Sequence, residues 1–290
     1  MATREPAPRG YTAYLFGSFQ VYKDRAPLGS GAPGLSAAST LLKWFLLHPE
    51  VTMRTRDLLL VLDGYPDDSS RARLNRTLHY LRKYLEPCPA GGSSTFIKNC
   101  STGYTFEPAG QWTVDLWDVE AMLARARRAR EVGDVEDEVL ALESLAHLEE
   151  LAFLPGDLYN DTFSEARLDA AQKCHDSRDR LLELYISTER AAQALQLGLA
   201  TMEQEPYSEY AAWAVASAHA HAGDPVSAIR TLVDFRNRLQ QDLGSSPGPL
   251  IVELEAGLRC GGSGSPGRRT RSFGNNAGPH GCWPGDMLPF

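Results

Sequence analysis

Cysteine is scarce in this chain, and long apolar runs are missing from it. The cysteines are scattered and show no CxxC pair or metal-finger spacing; they are Cys88, Cys100, Cys174, Cys260 and Cys282. This pattern argues against a disulfide scaffold and against a zinc site. No run approaches the roughly 18 apolar residues of a membrane span, and the polar start MATREPAPRG lacks the apolar segment of a secretion signal. These absences predict a cytoplasmic protein without a membrane segment.

Motifs for catalysis and cofactor binding are also missing. The chain has no Gly-x-x-x-x-Gly-Lys-Ser/Thr phosphate loop. Cys174, His175 and Asp176 are adjacent in sequence, but neighbouring residues on a helix do not face each other. His219 and His221 are two residues apart, which is the wrong spacing for one helical face. The sequence therefore predicts no enzyme, no cofactor and no metal site.

The net charge of −8 is unevenly distributed along the chain. Residues 1–110 contain 13 basic and 9 acidic residues, whereas residues 111–259 contain 13 basic and 27 acidic residues. Because an acidic surface repels phosphate, we expect any contact with nucleic acid to come from the first 110 residues. A length of 290 residues suits two domains, and we predict their boundaries at 1–110 and 111–259.

The order of elements in the first domain predicts a winged helix of the α+β class. Residues 11–28 are rich in aromatics and predict short strands with a turn at Lys23–Asp24. Residues 95–106 predict a β-hairpin with Gly103 near its turn. Three helices are predicted between these strands, the second after a candidate cap at Thr52. The predicted helices are Ser36–Leu47, Arg54–Leu62 and Ser69–Leu85.

The second domain has the long amphipathic helices of an all-α structure. Gly133-Asp134 and Gly223-Asp224 each separate two such helices, which favours tetratricopeptide-like packing. The predicted helices are Leu116–Val132, Val135–Leu151, Ser164–Arg190, Ala191–Glu205, Ser208–Ala222, Pro225–Leu243 and Pro249–Leu258. Residues 260–290 are rich in Gly, Pro, Ser and Arg without periodicity, and they predict a disordered C-terminal tail.

The helix predicted at 69–85 has the features of an element that reads a DNA groove. Its leucines fall on one stripe, and they are Leu74, Leu78, Leu81 and Leu85. The opposite face is basic, and residues 69–85 contain no acidic residue. Arginine can bond guanine at two atoms, asparagine can do the same for adenine, and lysine can reach phosphate. Basic residues opposite a leucine stripe also occur on ordinary surface helices, but the winged-helix element order favours DNA binding.

Several segments resemble known regulatory domains. FGSFQVYKDRAPL (16–28), SRARLNRTLHYLRKYL (70–85) and FIKNCSTGYTFEP (96–108) resemble the OmpR-type winged helix. FLPGDLYNDTFSEARLDAAQ (153–172) and DPVSAIRTLVDFRNRLQQDLGSSPGPLIVELEAGL (224–258) resemble the bacterial transcriptional activator domain. In this combination the chain is similar to the Streptomyces antibiotic regulatory protein family.

The resemblance implies a site on the helix 69–85 and on a wing at 96–106. The DNA contacts that it implies on the helix are Arg71, Arg73, Asn75, Arg76, His79 and Lys83. The wing has no arginine, so the candidates there are Lys98, Asn99 and Thr102. Asp63 stands where the family commonly has a tryptophan at the end of the second helix.

The resemblance also implies a function and partners. Such a protein activates transcription of a secondary-metabolite operon, binds head-to-tail direct repeats in promoter DNA, and contacts RNA polymerase. Because one winged helix reads a short half-site, we expect a homodimer on the DNA.

Two other functions stay open from the residues alone. The chain could be a protein-interaction scaffold whose winged helix has lost tight DNA binding, which the arginine-free wing favours. It could also be a ligand-sensing regulator with a concave helical-repeat surface. The salt dependence of DNA affinity distinguishes the first alternative, and thermal stabilisation by a ligand distinguishes the second.

Overall fold

The computed structural model describes residues 10–28, 35–64, 66–87, 94–149 and 151–260. The chain divides into two compact units, residues 1–188 and residues 189–290. A disordered tail was predicted at 260–290, and residues 261–290 of it lie outside the described residues.

The first unit begins with a sheet whose last strand comes from a distant part of the chain. Its strands are β1 (Tyr11–Tyr14), β2 (Gln20–Lys23), β3 (Ala26–Pro27) and β7 (Trp112–Val114). Their order across the sheet is β3-β2-β1-β7. β1 pairs antiparallel with β2 and parallel with β7. The turn between β2 and β3 lies at Asp24–Arg25, with φ angles of 48° and 69°, one residue later than the predicted Lys23–Asp24. Strand β7 was not predicted, because a three-residue segment has too little alternation to be recognised.

Three helices and a second, three-stranded sheet complete the winged helix. The helices are α1 (Leu35–Leu47), α2 (Thr55–Asp63) and α3 (Ser70–Leu85). The sheet has the order β4-β6-β5, formed by β4 (Thr52–Arg54), β6 (Gly103–Phe106) and β5 (Ile97–Cys100). Gly103 directly follows the turn of the predicted hairpin, and the hairpin β5–β6 is the wing.

The segment before α2 differs from the sequence prediction. Thr52 is not a helix cap and Arg54 is not helical, because both belong to β4. The Thr52 hydroxyl lies 2.8 Å from the Thr105 hydroxyl on β6. α2 begins at Thr55 without a side-chain cap. Pairing with β6 satisfies backbone groups that a helix turn would otherwise have satisfied, and this partner lies fifty residues away in sequence.

Three further helices share the core of the winged helix. They are α4 (Asp115–Val132), α5 (Val135–Glu149) and α6 (Ser164–Ser187), with short 3-10 turns at Pro155–Asp157 and Asp161–Phe163 between the last two. Phe153 and Phe163 are buried in the same cluster as the leucines of α3. Gly133 ends α4 in the left-handed conformation, at φ 76°, and provides the predicted turn into α5.

Asp115 fastens the start of α4 to the first sheet. Its carboxylate is buried and accepts hydrogen bonds from the backbone N–H groups of Leu15 (2.9 Å) and Phe16 (3.0 Å). It also accepts one from the N–H of Leu116 at 2.9 Å. The N–H groups of Leu15 and Phe16 lie beyond the end of β1, where no strand satisfies them, so one carboxylate replaces missing sheet partners.

A second attachment joins α1 to the segment before α6. The Lys43 ammonium is 2.6 Å from the Asp157 carboxylate, and both side chains are nearly buried. The same ammonium lies 4.9 Å from the centre of the Phe19 ring. Trp117 on α4 donates its indole N–H to the carbonyl oxygen of Leu46 at 2.9 Å. The winged helix and α4–α6 therefore make specific polar contacts as well as apolar ones.

The second unit is a stack of amphipathic helices. They are α7 (Ala191–Gln204), α8 (Glu209–His221), α9 (Pro225–Leu243) and α10 (Pro249–Arg259). α8 packs against the other three. A Cβ on Gly198 would lie 2.7 Å from a methyl group of Val215, so this glycine permits the close approach of α7 to α8. Gly223, at φ 79°, and the Asp224 cap on the Ser227 N–H form the second predicted repeat turn.

Within the described ranges, no helix is both long enough and apolar enough to cross a membrane.

We predict that replacing Asp115 with alanine destabilises the first unit. The change leaves the N–H groups of Leu15 and Phe16 buried without their acceptor. Since an unsatisfied buried donor costs about 1–3 kcal/mol, we expect the free energy of unfolding to fall by about 3 kcal/mol. Urea denaturation followed by tryptophan fluorescence measures this change.

The matched control is Glu131→Ala, which removes an exposed carboxylate from the same helix. Its effect should stay within about 0.5 kcal/mol. If the two variants unfolded at the same urea concentration, Asp115 would not have the structural role assigned to it.

Candidate nucleic-acid interface

Helix α3 has one buried face and one exposed face. Its leucine stripe is completely buried, with exposed fractions of 0–1% for Leu74, Leu78, Leu81 and Leu85. The side chains predicted to contact DNA lie on the exposed surface, and they are Arg71, Arg73, Asn75, Arg76, His79 and Lys83. α3 therefore presents its basic face to solvent, as its sequence period predicts.

The turn before α3 sets where the helix begins. Asp67 accepts hydrogen bonds from the Ser69 hydroxyl (2.7 Å), the Ser69 N–H (2.9 Å) and the Ser70 hydroxyl (3.0 Å). The Ser70 hydroxyl in turn accepts from the Asp67 N–H at 2.9 Å. The hydrogen bonds from Ser69 and then Ser70 hold the pKa of Asp67 below its ordinary value. This reciprocal arrangement stops the chain from continuing the helix backwards.

Arg73 is held by α2. Its guanidinium lies 2.7 Å from the carboxylate of Asp63 and 3.3 Å from the Ser69 hydroxyl. Only 6% of the Asp63 side chain is exposed. The carboxylate at the position of the family's tryptophan thus has a structural partner in this chain. Arg73 braces α3 against α2, and its contact with DNA stays a prediction.

The wing is attached to α3 by Arg82 and Tyr104. Arg82 donates to the carbonyl oxygen of Ile97 at 3.0 Å, and its guanidinium lies 5.8 Å from the centre of the Tyr104 ring. The Tyr104 hydroxyl reaches the Asn75 side-chain oxygen at 3.4 Å. Asn75 is therefore positioned from the wing side. The sequence did not predict these roles of Arg82 and Tyr104, because their contacts join residues 15 to 29 positions apart.

The wing residues predicted to contact DNA are accessible. Asn99 and Thr102 are exposed, and Lys98 is partly exposed. Asn99 lies on β5, and Thr102 lies in the turn before β6. Tyr104 and its β5 partner Asn99 lie on the face of the wing that meets α3, whereas Lys98 lies on the opposite face.

The basic side chains of the winged helix fall into two groups. Arg73 and Arg82 are engaged in the contacts above. Those without a hydrogen-bond or ion-pair partner among the residues that the structure describes include Arg54, Arg56, Arg71, Arg76 and Lys83. The first two were not predicted as site residues. The polar–apolar–polar alternation of Thr52, Met53 and Arg54 is the weak sequence signal that could have identified the strand.

Glu86 holds the chain that leads from α3 to the wing. Its carboxylate accepts hydrogen bonds from the Ser94 hydroxyl at 2.7 Å and from the Thr95 N–H at 2.8 Å. Burial alone would raise the pKa of Glu86, but these hydrogen bonds outweigh burial and hold the pKa below its ordinary value.

Among the described residues, no group of three or more His, Cys, Asp and Glu side chains is arranged to hold a metal ion.

Comparisons with known proteins place the chain in context. The family model of the bacterial transcriptional activator domain matches residues 114–259. A search of curated proteins finds no match. Among solved structures, the chain is similar to Mycobacterium tuberculosis EmbR in complex with a low-affinity phosphopeptide, with a TM-score of 0.73 and 20% sequence identity. The match covers 87% of this chain and 66% of the EmbR chain, so this chain spans just under two thirds of that protein.

At 20% identity the likeness to EmbR concerns the fold alone. It confirms the predicted fold class, a winged helix of the α+β type followed by an all-α helical region.

We predict that Glu86 makes the stability of the first unit depend on pH. Because its folded pKa is lowered, its hydrogen bonds stabilise the fold above the ordinary value of 4.5, and this contribution is lost as the pH falls through the folded pKa. The stability difference between wild type and Glu86→Gln should be constant near neutral pH and shrink below 4.5. Urea titrations at a series of pH values test this, and a difference that did not vary with pH would contradict it.

Proposed function

The chain belongs to the bacterial transcriptional activator domain family, and from that premise we propose that it is a sequence-specific DNA-binding activator that reads DNA with α3 and the wing. The family match confirms the membership of the Streptomyces antibiotic regulatory protein family that the sequence predicted. The family is one of transcription regulators and not a class of enzymes.

The observation that carries the proposal is the basic exposed face of α3. Arg71, Arg76 and Lys83 project from it without a protein partner among the described residues. A guanidinium that is not committed within the protein can form the two hydrogen bonds that guanine offers in the major groove. No acidic side chain lies between residues 69 and 85 to repel phosphate. Alternating signs of charge are typical of a helix face that only meets solvent, and this face does not have them.

The finer parts of the proposal follow the family resemblance. The protein binds as a homodimer on direct repeats in promoter DNA, contacts RNA polymerase, and activates a secondary-metabolite operon in the cytoplasm. The acidic helices after residue 111 are the surface that protein partners would meet, because phosphate repels them. The domain boundaries at residues 110 and 259 stay predictions.

The arginine-free wing supports a second candidate, an interaction scaffold with weak DNA binding. The two functions differ in their salt dependence. A DNA-reading protein releases counterions on binding, so its affinity for DNA falls steeply as salt rises. A scaffold with weak DNA binding would not show this steep fall for DNA.

We predict that Arg76→Ala removes sequence discrimination. If Arg76 pairs with guanine, its loss costs about 1–3 kcal/mol of discrimination at one base position. One duplex comes from upstream of the operon next to the gene for this protein, and the other is a scrambled duplex. Titrations with each duplex measure the ratio of the two affinities at two salt concentrations. The ratio should fall for the variant, because the specific duplex loses more affinity than the scrambled one.

The matched control is Lys83→Ala, which removes one positive charge from the same exposed face. Lysine contacts phosphate, so this variant should weaken both duplexes equally. An unchanged ratio for Arg76→Ala would show that another face of α3 enters the groove. Failure of the wild type to bind either duplex at low salt would refute the proposed function and favour the scaffold.

A further inference from the structure

The wing lacks arginine, but strand β4 brings one beside it. Arg54 is the last residue of β4 and pairs in register with Gly103, the first residue of β6. Gly103 directly follows Thr102 in the turn of the wing. Arg54 therefore stands at the same end of the sheet as the predicted wing contact, although the two are 48 residues apart in sequence.

The register places Arg54 on the outer face of the sheet. The hydroxyls of Thr52 and Thr105 lie 2.8 Å apart, so these two side chains share a face. Arg54 is two residues after Thr52 and lies on that same face. Lys98 on β5 pairs with Thr105 and lies there too. Tyr104, on the opposite face, contacts α3.

The residue opposite Arg54 leaves its side chain uncovered. A Cβ on Gly103 would lie 1.8 Å from the carbonyl oxygen of Met53, so no larger residue fits there. Consequently no side chain on β6 packs across from Arg54. The Arg54 side chain is exposed, and it makes no ion pair or hydrogen bond with any residue that the structure describes.

The charges around Arg54 favour an anion. Lys98 lies on the same face of the sheet, and Arg56 is exposed in the first turn of α2. The acidic residue of that turn is Asp57, which is exposed and makes no ion pair with Arg54. Arg73 and Arg82, in contrast, are committed to protein acceptors. A guanidinium and an ammonium on one face of a sheet suit the phosphate oxygens of a nucleic-acid backbone.

We propose that Arg54, with Lys98, is a second DNA-contact site on the outer face of the wing sheet, which binds backbone phosphate in place of a wing arginine. The site rests on the proposed function, since it assumes that DNA lies against α3 and the wing. It contributes affinity without base discrimination, because phosphates carry no sequence information.

The test is a DNA titration with the full chain over a series of salt concentrations. Arg54→Ala should weaken binding to the operon DNA and to a scrambled duplex by the same factor. It should also lower the slope of log affinity against log salt by about 1, because one phosphate contact is lost. Arg230→Ala removes the same charge from an exposed position in the second unit and should leave the slope unchanged. Thermal melting verifies that both variants are folded.

A double variant tests whether Arg54 stands in for a wing arginine. Thr102→Arg, added to Arg54→Ala, returns a guanidinium to the adjacent turn and should restore the slope. A slope that stayed at the Arg54→Ala value would overturn the replacement role.

The possible failures are distinguishable. If the wild type bound DNA and Arg54→Ala had the wild-type slope, the second site would be refuted while the function of α3 stood. If the wild type bound neither duplex, the proposed function would fail, and the second site with it.

Discussion

Burial of the leucine stripe of α3 is the constraint on which the candidate interface depends. Four leucines with almost no exposed surface fix the rotation of α3 about its axis. Once that rotation is fixed, Arg76 and Lys83 must point to solvent. Burying a leucine contributes about 1.5–3 kcal/mol to folding stability, whereas an exposed arginine contributes little. The apolar side therefore decides the orientation, and the basic side is free to bind.

Polar contacts then decide which charges remain available. Asp63 and the carbonyl oxygen of Ile97 hold Arg73 and Arg82, so these two arginines stabilise the positions of α2, α3 and the wing. Asp115 serves the same purpose at the start of α4, where its carboxylate replaces missing strand partners. Each contact joins residues from separate elements. The winged helix is thus built together with α4–α6, which complete its core.

Much of this organisation could be predicted from local sequence patterns. The 3.6-residue period of leucines predicted the buried face of α3, and the glycines at 133 and 223 marked turns between helices. The predicted site residues of α3 all lie on its exposed surface. Short strands were harder to predict. β4 and β7 have three residues each, and their pairing partners lie fifty and a hundred residues away.

Local pattern and composition specify the helices, their apolar faces and the separation of basic from acidic regions, because these features depend on residues that are close in sequence. Which basic side chains are engaged by acceptors within the protein depends on how distant segments fold together. No local pattern shows that Arg73 meets a carboxylate on α2 or that Arg54 faces a glycine across the sheet. An ion pair requires proximity in space, and the folding of distant segments creates that proximity.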